Sequence, residues 1–312
     1  MNKNRMYDPR GVVQPPRMAT PMSYPQAVRV PPRRRRRSLG CFSPGCLLLL
    51  ALPAVFLLLV YLLAPLRINL LLMGIDRPPA GTNTSRTDTM ILFSIDPLKP
   101  YIGMLSIPRD LWVTIPGVGE DRINTAHFWA EAAVPGTGPQ AAAQTVENNF
   151  DIQVPYTIRI RFDGFVSLVD AMGGVDLNLT EAAGGLSAGA YHLNGTQALA
   201  FARDRKGTDD FFRMADGQLM FKAVLKQMLR ITNWPRLPGE AITILKAMDT
   251  NIPIWQWPRL LLAFLRAGPS GIDNHVLSRD MVQPYITSGG ADVLLPNWDL
   301  IRPYVAEMFG QK

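Results

Sequence analysis

From Ser38 to Leu66 the chain carries no charged residue, and the core of that gap, Cys46 to Ala64, is almost wholly aliphatic. About 20 apolar residues suffice to cross a bilayer as a helix, so the stretch predicts one transmembrane helix at 45–66. Pro53 inside it is expected to kink the helix, which membrane helices tolerate better than soluble ones. Arg33 to Arg37 stand just before the run and Arg67 stands alone after it, so the excess of positive charge places the N-terminus in the cytoplasm. The run is longer than a signal-peptide apolar region of about 7 to 15 residues, and Ala64 is followed by Pro65, a poor cleavage context. The reading is an uncleaved signal anchor in the cell membrane, single-pass, with residues 67–312 extracytoplasmic.

The formal net charge of +7 belongs to one end of the chain. Residues 1–44 hold ten basic side chains against Asp8 alone, which leaves the remainder slightly acidic. Rich in Pro and Arg and without periodicity, 1–44 reads as a disordered basic cytoplasmic tail. It has neither the aromatic residues nor the motif of a nucleic-acid-binding segment, so no nucleic-acid partner is expected. Cys41 and Cys46 are the two cysteines, both at the membrane boundary, so the external part has no disulfide framework and no cysteine metal site.

Beyond Arg67 the pattern alternates between strands and helices. Ile68 to Met73, Thr89 to Ser94 and Tyr101 to Ile107 read as strands, with a turn at Asp96-Pro97. Thr125 to Ala133, Gly138 to Asn149, Gly164 to Met172, Asn194 to Phe201 and Asp210 to Ile231 read as helices, with Asp163 as a candidate cap. Tyr156 to Arg161 and Val175 to Leu179 read as further strands. The first three strands lie too close together for crossover helices, which predicts an α/β fold, a mixed central sheet covered by helices on both faces.

Arginine and aspartate cluster at the ends of these apolar segments: Asp76, Arg86-Thr-Asp88, Arg109-Asp110, Arg122, Arg203-Asp-Arg205, Asp209, Asp210, Arg213 and Gln218. Guanidinium forks match phosphate oxygens, and paired carboxylates with phosphate and water suit Mg²⁺. If the first two strands are neighbours, Asp76 and Asp88 converge. Arg203 and Arg205, two apart in an extended segment, would point the same way and grip a diphosphate. Each group also has a plainer reading as a turn residue or surface ion pair. Arg213 and Gln218 are five apart on one helix, a spacing that leaves one of them to packing or capping.

Taken in order, Leu71-Leu-Met-Gly-Ile-Asp76, Ser85-Arg-Thr-Asp-Thr-Met90, Leu105-Ser-Ile-Pro-Arg-Asp110, Arg122-Ile-Asn124, Gly173-Gly-Val-Asp176, Leu193-Asn-Gly-Thr-Gln-Ala-Leu199 and Ala202-Arg-Asp-Arg205 with Asp209-Asp-Phe-Phe-Arg-Met214 resemble the LytR-CpsA-Psr family. The resemblance runs from about residue 68 to 228. It implies that 67–312 is an extracytoplasmic catalytic domain, a Mg²⁺-dependent phosphotransferase with an apolar cleft for a polyprenyl chain. The donor would be a polyprenyl-pyrophosphate-linked glycan and the acceptor a peptidoglycan hydroxyl. Asp76 and Asp88 would hold Mg²⁺. Arg86, Arg109, Arg203 and Arg205, with Asp88, would be the catalytic set. Arg122, standing where the family usually has Lys, would join them in binding substrate, together with Arg213 and Gln218. Asp88, Asp110 and Asp210 are the candidate general bases.

Asp216-Gly217 departs from the family pattern, which usually supplies an Arg and a Gln there, and Gly inside a helix costs about 1 kcal/mol relative to Ala. From about residue 229 onward, with Trp234, Trp255 and Trp257, nothing resembles a known pattern. A non-catalytic polyprenyl-pyrophosphate or glycan-binding scaffold is the alternative function, and a transcription regulator is disfavoured because no DNA-binding motif precedes the membrane segment.

Overall fold

The computed structural model describes residues 44–63, 67–76, 78–96, 99, 101–204, 210–230 and 248–310. The chain divides into two units, Met1–Leu52 and Pro53–Lys312. The basic tail, apart from the backbone of Pro44, and residues 64–66 of the expected anchor lie outside the described residues. Helix α1 spans Pro44–Leu63 with Pro53 inside it, and its side chains are described from Ala51 to Leu62. Among the described residues no helix is long and apolar enough to cross a membrane.

Six strands form the central sheet in the order β10-β3-β2-β1-β6-β9. These are β1 (Ile68–Ile75), β2 (Thr87–Asp96), β3 (Tyr101–Ser106), β6 (Tyr156–Arg161), β9 (Met248–Thr250) and β10 (Ile272–Val276). β1 runs antiparallel to β2 and parallel to β6, and β3 is antiparallel to β2 and parallel to β10, so the sheet is mixed as the strand spacing predicts. An unbroken apolar run such as Leu70 to Met73 suits this central place, because both faces of β1 are covered.

Strand alternation sorts the core into two layers. On one face Leu71, Met73, Met90 and Leu92 meet α3 (Gly138–Phe150) and α8 (Trp298–Phe309), through Val146, Phe150, Ile301 and Val305. On the other, Ile68, Leu70, Ile91, Phe93 and Ile95 meet α6 (Asp210–Met228) and α7 (Trp257–Ala267), through Leu225, Leu260 and Ala263. A third apolar cluster joins α4 (Phe162–Ala171), the hairpin β7–β8 (Val175–Leu179, Gly189–Leu193) and α5 (Gly195–Arg203) to α6. Two more hairpins, β4–β5 (Trp112–Ile115, Gly119–Arg122) and β11–β12 (Val282–Ile286, Asp292–Pro296), and α2 (Thr125–Ala133) complete the described fold.

Several local expectations are corrected. β2 begins at Thr87, because Thr87 pairs with Ile75 across an irregularity after Gly74, so Asp88 lies inside the strand. Arg203 is the last residue of α5 and not part of an extended segment: a capping box between Asn194 and Gln197 nucleates the helix, which runs on to Arg203. The N-cap of α4 is Arg161, while Asp163 sits in the first turn and pairs with Arg161 at 2.7 Å. The chain from Met248 onward supplies β9 to β12, α7 and α8, none of which the sequence pattern singled out.

Candidate functional site

The register brings three polar segments to one end of the sheet. Ile75 lies opposite Thr87 and Ile91 opposite Ser106, so the residues after β1, those at the start of β2 and those after β3 arrive together. Arg109 Nη1 lies 3.1 Å from Asp88 Oδ1, and its Nε lies 3.3 Å from Asp110 Oδ2. Arg122, ending β5, places Nε 3.3 Å from Asp110 Oδ1 and donates from Nη2 to the Asp292 carbonyl at 2.7 Å. Asp88, Arg109, Asp110 and Arg122 therefore form one row of alternating charge, each side chain between 19 and 27% exposed.

Arg203 Nη2 pairs with Asp76 Oδ2 at 2.9 Å, and its guanidinium lies 4.7 Å from the centroid of the Phe162 ring. Both partners are 42% exposed, so the pair adds about 0–1 kcal/mol to stability and leaves the guanidinium ready for exchange with another anion. Arg86 is exposed in the loop before β2. Arg213 is buried and lines a narrow crevice together with Asp88, Ser106, Arg109, Ala202 and Gly217. Arg205, Asp209 and the Asp210 side chain lie outside the described residues.

Gln218 is 2% exposed, and its amide nitrogen donates to Ser106 Oγ at 2.9 Å and to the His275 carbonyl at 2.6 Å. It ties β3 and β10 together beneath the crevice, while Arg213 faces into it. Asp216 is buried and accepts from the Gly184 amide at 3.1 Å. Burial pushes its carboxyl up and Asp204 adds to this, outweighing the Gly184 hydrogen bond. Gly217 has open space where a side chain would begin.

A buried network escapes sequence reading. His127 Nδ1 lies 2.8 Å from the Ser85 carbonyl, immediately before Arg86, and Arg159 Nη1 lies 3.2 Å from His127 Nε2 and 3.0 Å from Glu131 Oε2. Arg159 also pairs with Asp249. Guanidinium only donates, so Nε2 accepts and Nδ1 carries the proton that reaches Ser85. Burial holds the imidazole below its ordinary range. The sole signal in the sequence is the four-residue spacing of His127 and Glu131 on α2.

An apolar groove leads to this end of the sheet. Two adjoining cavities of about 200 and 380 Å³ share Leu72, Ile158, Phe221, Val224, Met228 and Met248. The first reaches Gly74, Thr89, Arg203 and Gly217, and the second reaches Leu70, Trp257, Leu261 and Phe264. Gly217 borders both the groove and the crevice.

Among the described residues no group of three or more His, Cys, Asp or Glu is placed to hold a metal ion. Asp76 and Asp88, at neighbouring strand ends, nevertheless fit the one or two carboxylates that Mg²⁺ takes from a protein when phosphate and water fill its other positions.

Residues 65–294 match the model of the LytR_cpsA_psr family. A polyisoprenyl-teichoic acid–peptidoglycan teichoic acid transferase TagU of Oceanobacillus iheyensis is 43% identical over 147 residues, 45% of this chain and 44% of that relative. The protein of the same name in Bacillus cereus is 31% identical over 192 residues, 59% of this chain and 60% of the relative. The chain thus spans about half the length of the curated relatives it matches. The crystal structure of B. subtilis TagV superposes with a TM-score of 0.63 at 25% identity, covering 80% of this chain and 99% of that one. TagT bound to LI-WTA superposes at 0.60 with 22% identity, over 78% and 91% of the two chains, a likeness of fold.

Proposed function

Because the chain belongs to the LytR_cpsA_psr family, we propose that it is a phosphotransferase that moves a glycopolymer from an undecaprenyl-pyrophosphate carrier onto a peptidoglycan hydroxyl. The observation that carries this reading is the apolar groove opening beside Arg203, next to a crevice lined by Asp88, Arg109 and Arg213. A lipid tail and a diphosphate head have opposite demands, and this surface meets both within one continuous feature. The names of the TagU relatives support a transferase acting between a polyisoprenyl-linked glycopolymer and peptidoglycan.

In the reaction, the acceptor oxygen attacks the phosphorus that bears the sugar. A new P–O bond forms, the P–O–P bridge breaks, and undecaprenyl phosphate leaves with the bridging oxygen. The hydroxyl proton passes to a carboxylate of the cluster, and Asp110, which the Mg²⁺ reading leaves uncoordinated, is the described candidate. Arg109 and Arg203 exchange their carboxylate partners for the diphosphate and stabilise charge on its equatorial and leaving oxygens, with Arg86, Arg122 and Arg213 as the further described arginines of the set. Asp76 and Asp88 would hold Mg²⁺, which when bound neutralises charge on the phosphates. The 45–66 segment anchors the chain in the cell membrane with the catalytic body outside.

Incubating the full chain with a synthetic lipid-pyrophosphate glycan, Mg²⁺ and peptidoglycan fragments is expected to give a phosphodiester product by mass spectrometry. Arg203→Ala and Asp88→Ala should each lower the rate by a factor on the order of 10² to 10³, the usual effect of losing one charge-stabilising group. Undiminished transfer by both variants rejects the assignment. Lipid that co-purifies without Mg²⁺-dependent turnover would instead identify a binding scaffold. A reporter fused at the C-terminus should be active only outside the cytoplasm.

A further inference from the structure

Helix α7 is apolar on two sides. Leu260 and Ala263 face the sheet, while Leu261 and Leu265 are 53 and 42% exposed, and the short turn before the helix adds Ile254 at 82% and Trp255 at 63%. Large apolar side chains so exposed and so close together are uncommon on a surface that meets only water. The end of α1 lies beside this helix: the Tyr61 ring lies 5.5 Å from the Arg259 guanidinium of α7, and the preceding residues Val55 to Val60 are themselves exposed and apolar. The two elements thus lie against one another, and both carry exposed apolar side chains. The groove opens on the same helix, through Trp257, Leu261 and Phe264.

We infer that the outer face of α7, with Ile254 and Trp255, docks on the lipid bilayer and sets the groove mouth against it. A Trp with one apolar side and an indole N–H suits the bilayer interface, and a helix with aliphatic residues outward can lie in that plane. From this mouth the groove follows β1 from Leu70 to Gly74, about 13 Å at the usual rise of a strand, to the end where Arg203 stands. A carrier lipid then enters from the membrane without its tail crossing water, and its head reaches the arginines. This inference deepens the proposed function and rests on it for the identity of the lipid, while the docking itself does not depend on transfer.

The test uses the full chain reconstituted in phosphatidylglycerol–phosphatidylethanolamine vesicles carrying brominated acyl chains, which quench only embedded indoles. Trp255 emission, taken as the difference between the parent chain and Trp255→Tyr, is expected to be quenched. An unquenched Trp255 overturns the proposal. Ile254→Gln combined with Leu265→Gln, both exposed and outside the groove lining, should slow transfer from a long-chain, bilayer-embedded donor at least tenfold and leave transfer from a short-chain soluble donor unchanged. Equal loss with both donors overturns it. So would a dimer in detergent that this double variant dissolves, which would give the face to a second copy. If the parent chain transfers nothing, the functional reading fails and the quenching alone decides the docking.

Discussion

Arg109 stands between Asp88 and Asp110 and uses different nitrogens for each, so its fork cannot be replaced by the point charge of a lysine. Arg109→Lys is expected to cost about tenfold or more in transfer rate with little change in melting temperature, read by the mass-spectrometric assay beside a thermal scan. His127 gives a pH signature. Its imidazole is depressed in the folded chain by burial, with the Arg159 charge acting the same way, against the Ser85 hydrogen bond and the acids Glu131 and Asp249. The unfolded chain therefore takes up this proton first, near the ordinary value of 6.5, and stability present above that pH is lost as pH falls below it. Urea unfolding between pH 7 and 5 should show this loss, and His127→Asn should flatten it. Asp216 has the opposite sign: its raised carboxyl contributes stability below the ordinary 3.8 and loses it as pH rises through the folded value. Asp216→Asn should raise the urea midpoint at pH 7 and leave it unchanged near pH 3. At this scale the meeting of the strand ends that carry Asp76 and Asp88 was legible, because β1 and β2 are close in sequence and pair antiparallel, while the separate arginine partners of the two carboxylates were not. The role of Gln218 was not, since its partners Ser106 and His275 come from distant strands.

Helix α5 shows how an element sets a side chain. Asn194 and Gln197 cap its start and Arg203 ends it, so the position of the guanidinium depends on nine residues of regular helix. Gly195 is required at the first turn, because a Cβ there would meet the Val166 carbonyl oxygen at 2.2 Å. Asn194→Ala should cost about 1 kcal/mol by urea unfolding, the usual worth of an N-cap, with Arg203 chemically intact. In α6, a methyl group added at Gly217 would meet nothing within 4 Å, so Gly217→Ala should stabilise by up to about 1 kcal/mol. Gly217→Leu would project into the passage between groove and crevice, and is expected to lower transfer while stability holds. The helices of the first two thirds were legible because their apolar periodicity is interrupted by clear breakers such as Pro135-Gly136 and Gly173-Gly174. The hairpins were harder to read, because β5 is Gly-Glu-Asp-Arg, with no apolar alternation.

In the whole molecule, the last helix closes the layer over the first strand. Arg67 Nη1 donates to the Met308 carbonyl, and Asn69 Nδ2 donates to the carbonyls of Gln153 and Phe309. Ile301 and Val305 cover the face of the sheet that holds Leu71 and Met73. The ties to Met308 and Phe309 cross most of the chain, which is why no window of sequence announces them. They also impose an order on biosynthesis. β1 is made first, yet its parallel neighbour β6 starts only at Tyr156 and its cover α8 only at Trp298. A growing chain therefore carries every charged side chain of the site before it can seal its own centre, and must be shielded from self-association until α8 is in place.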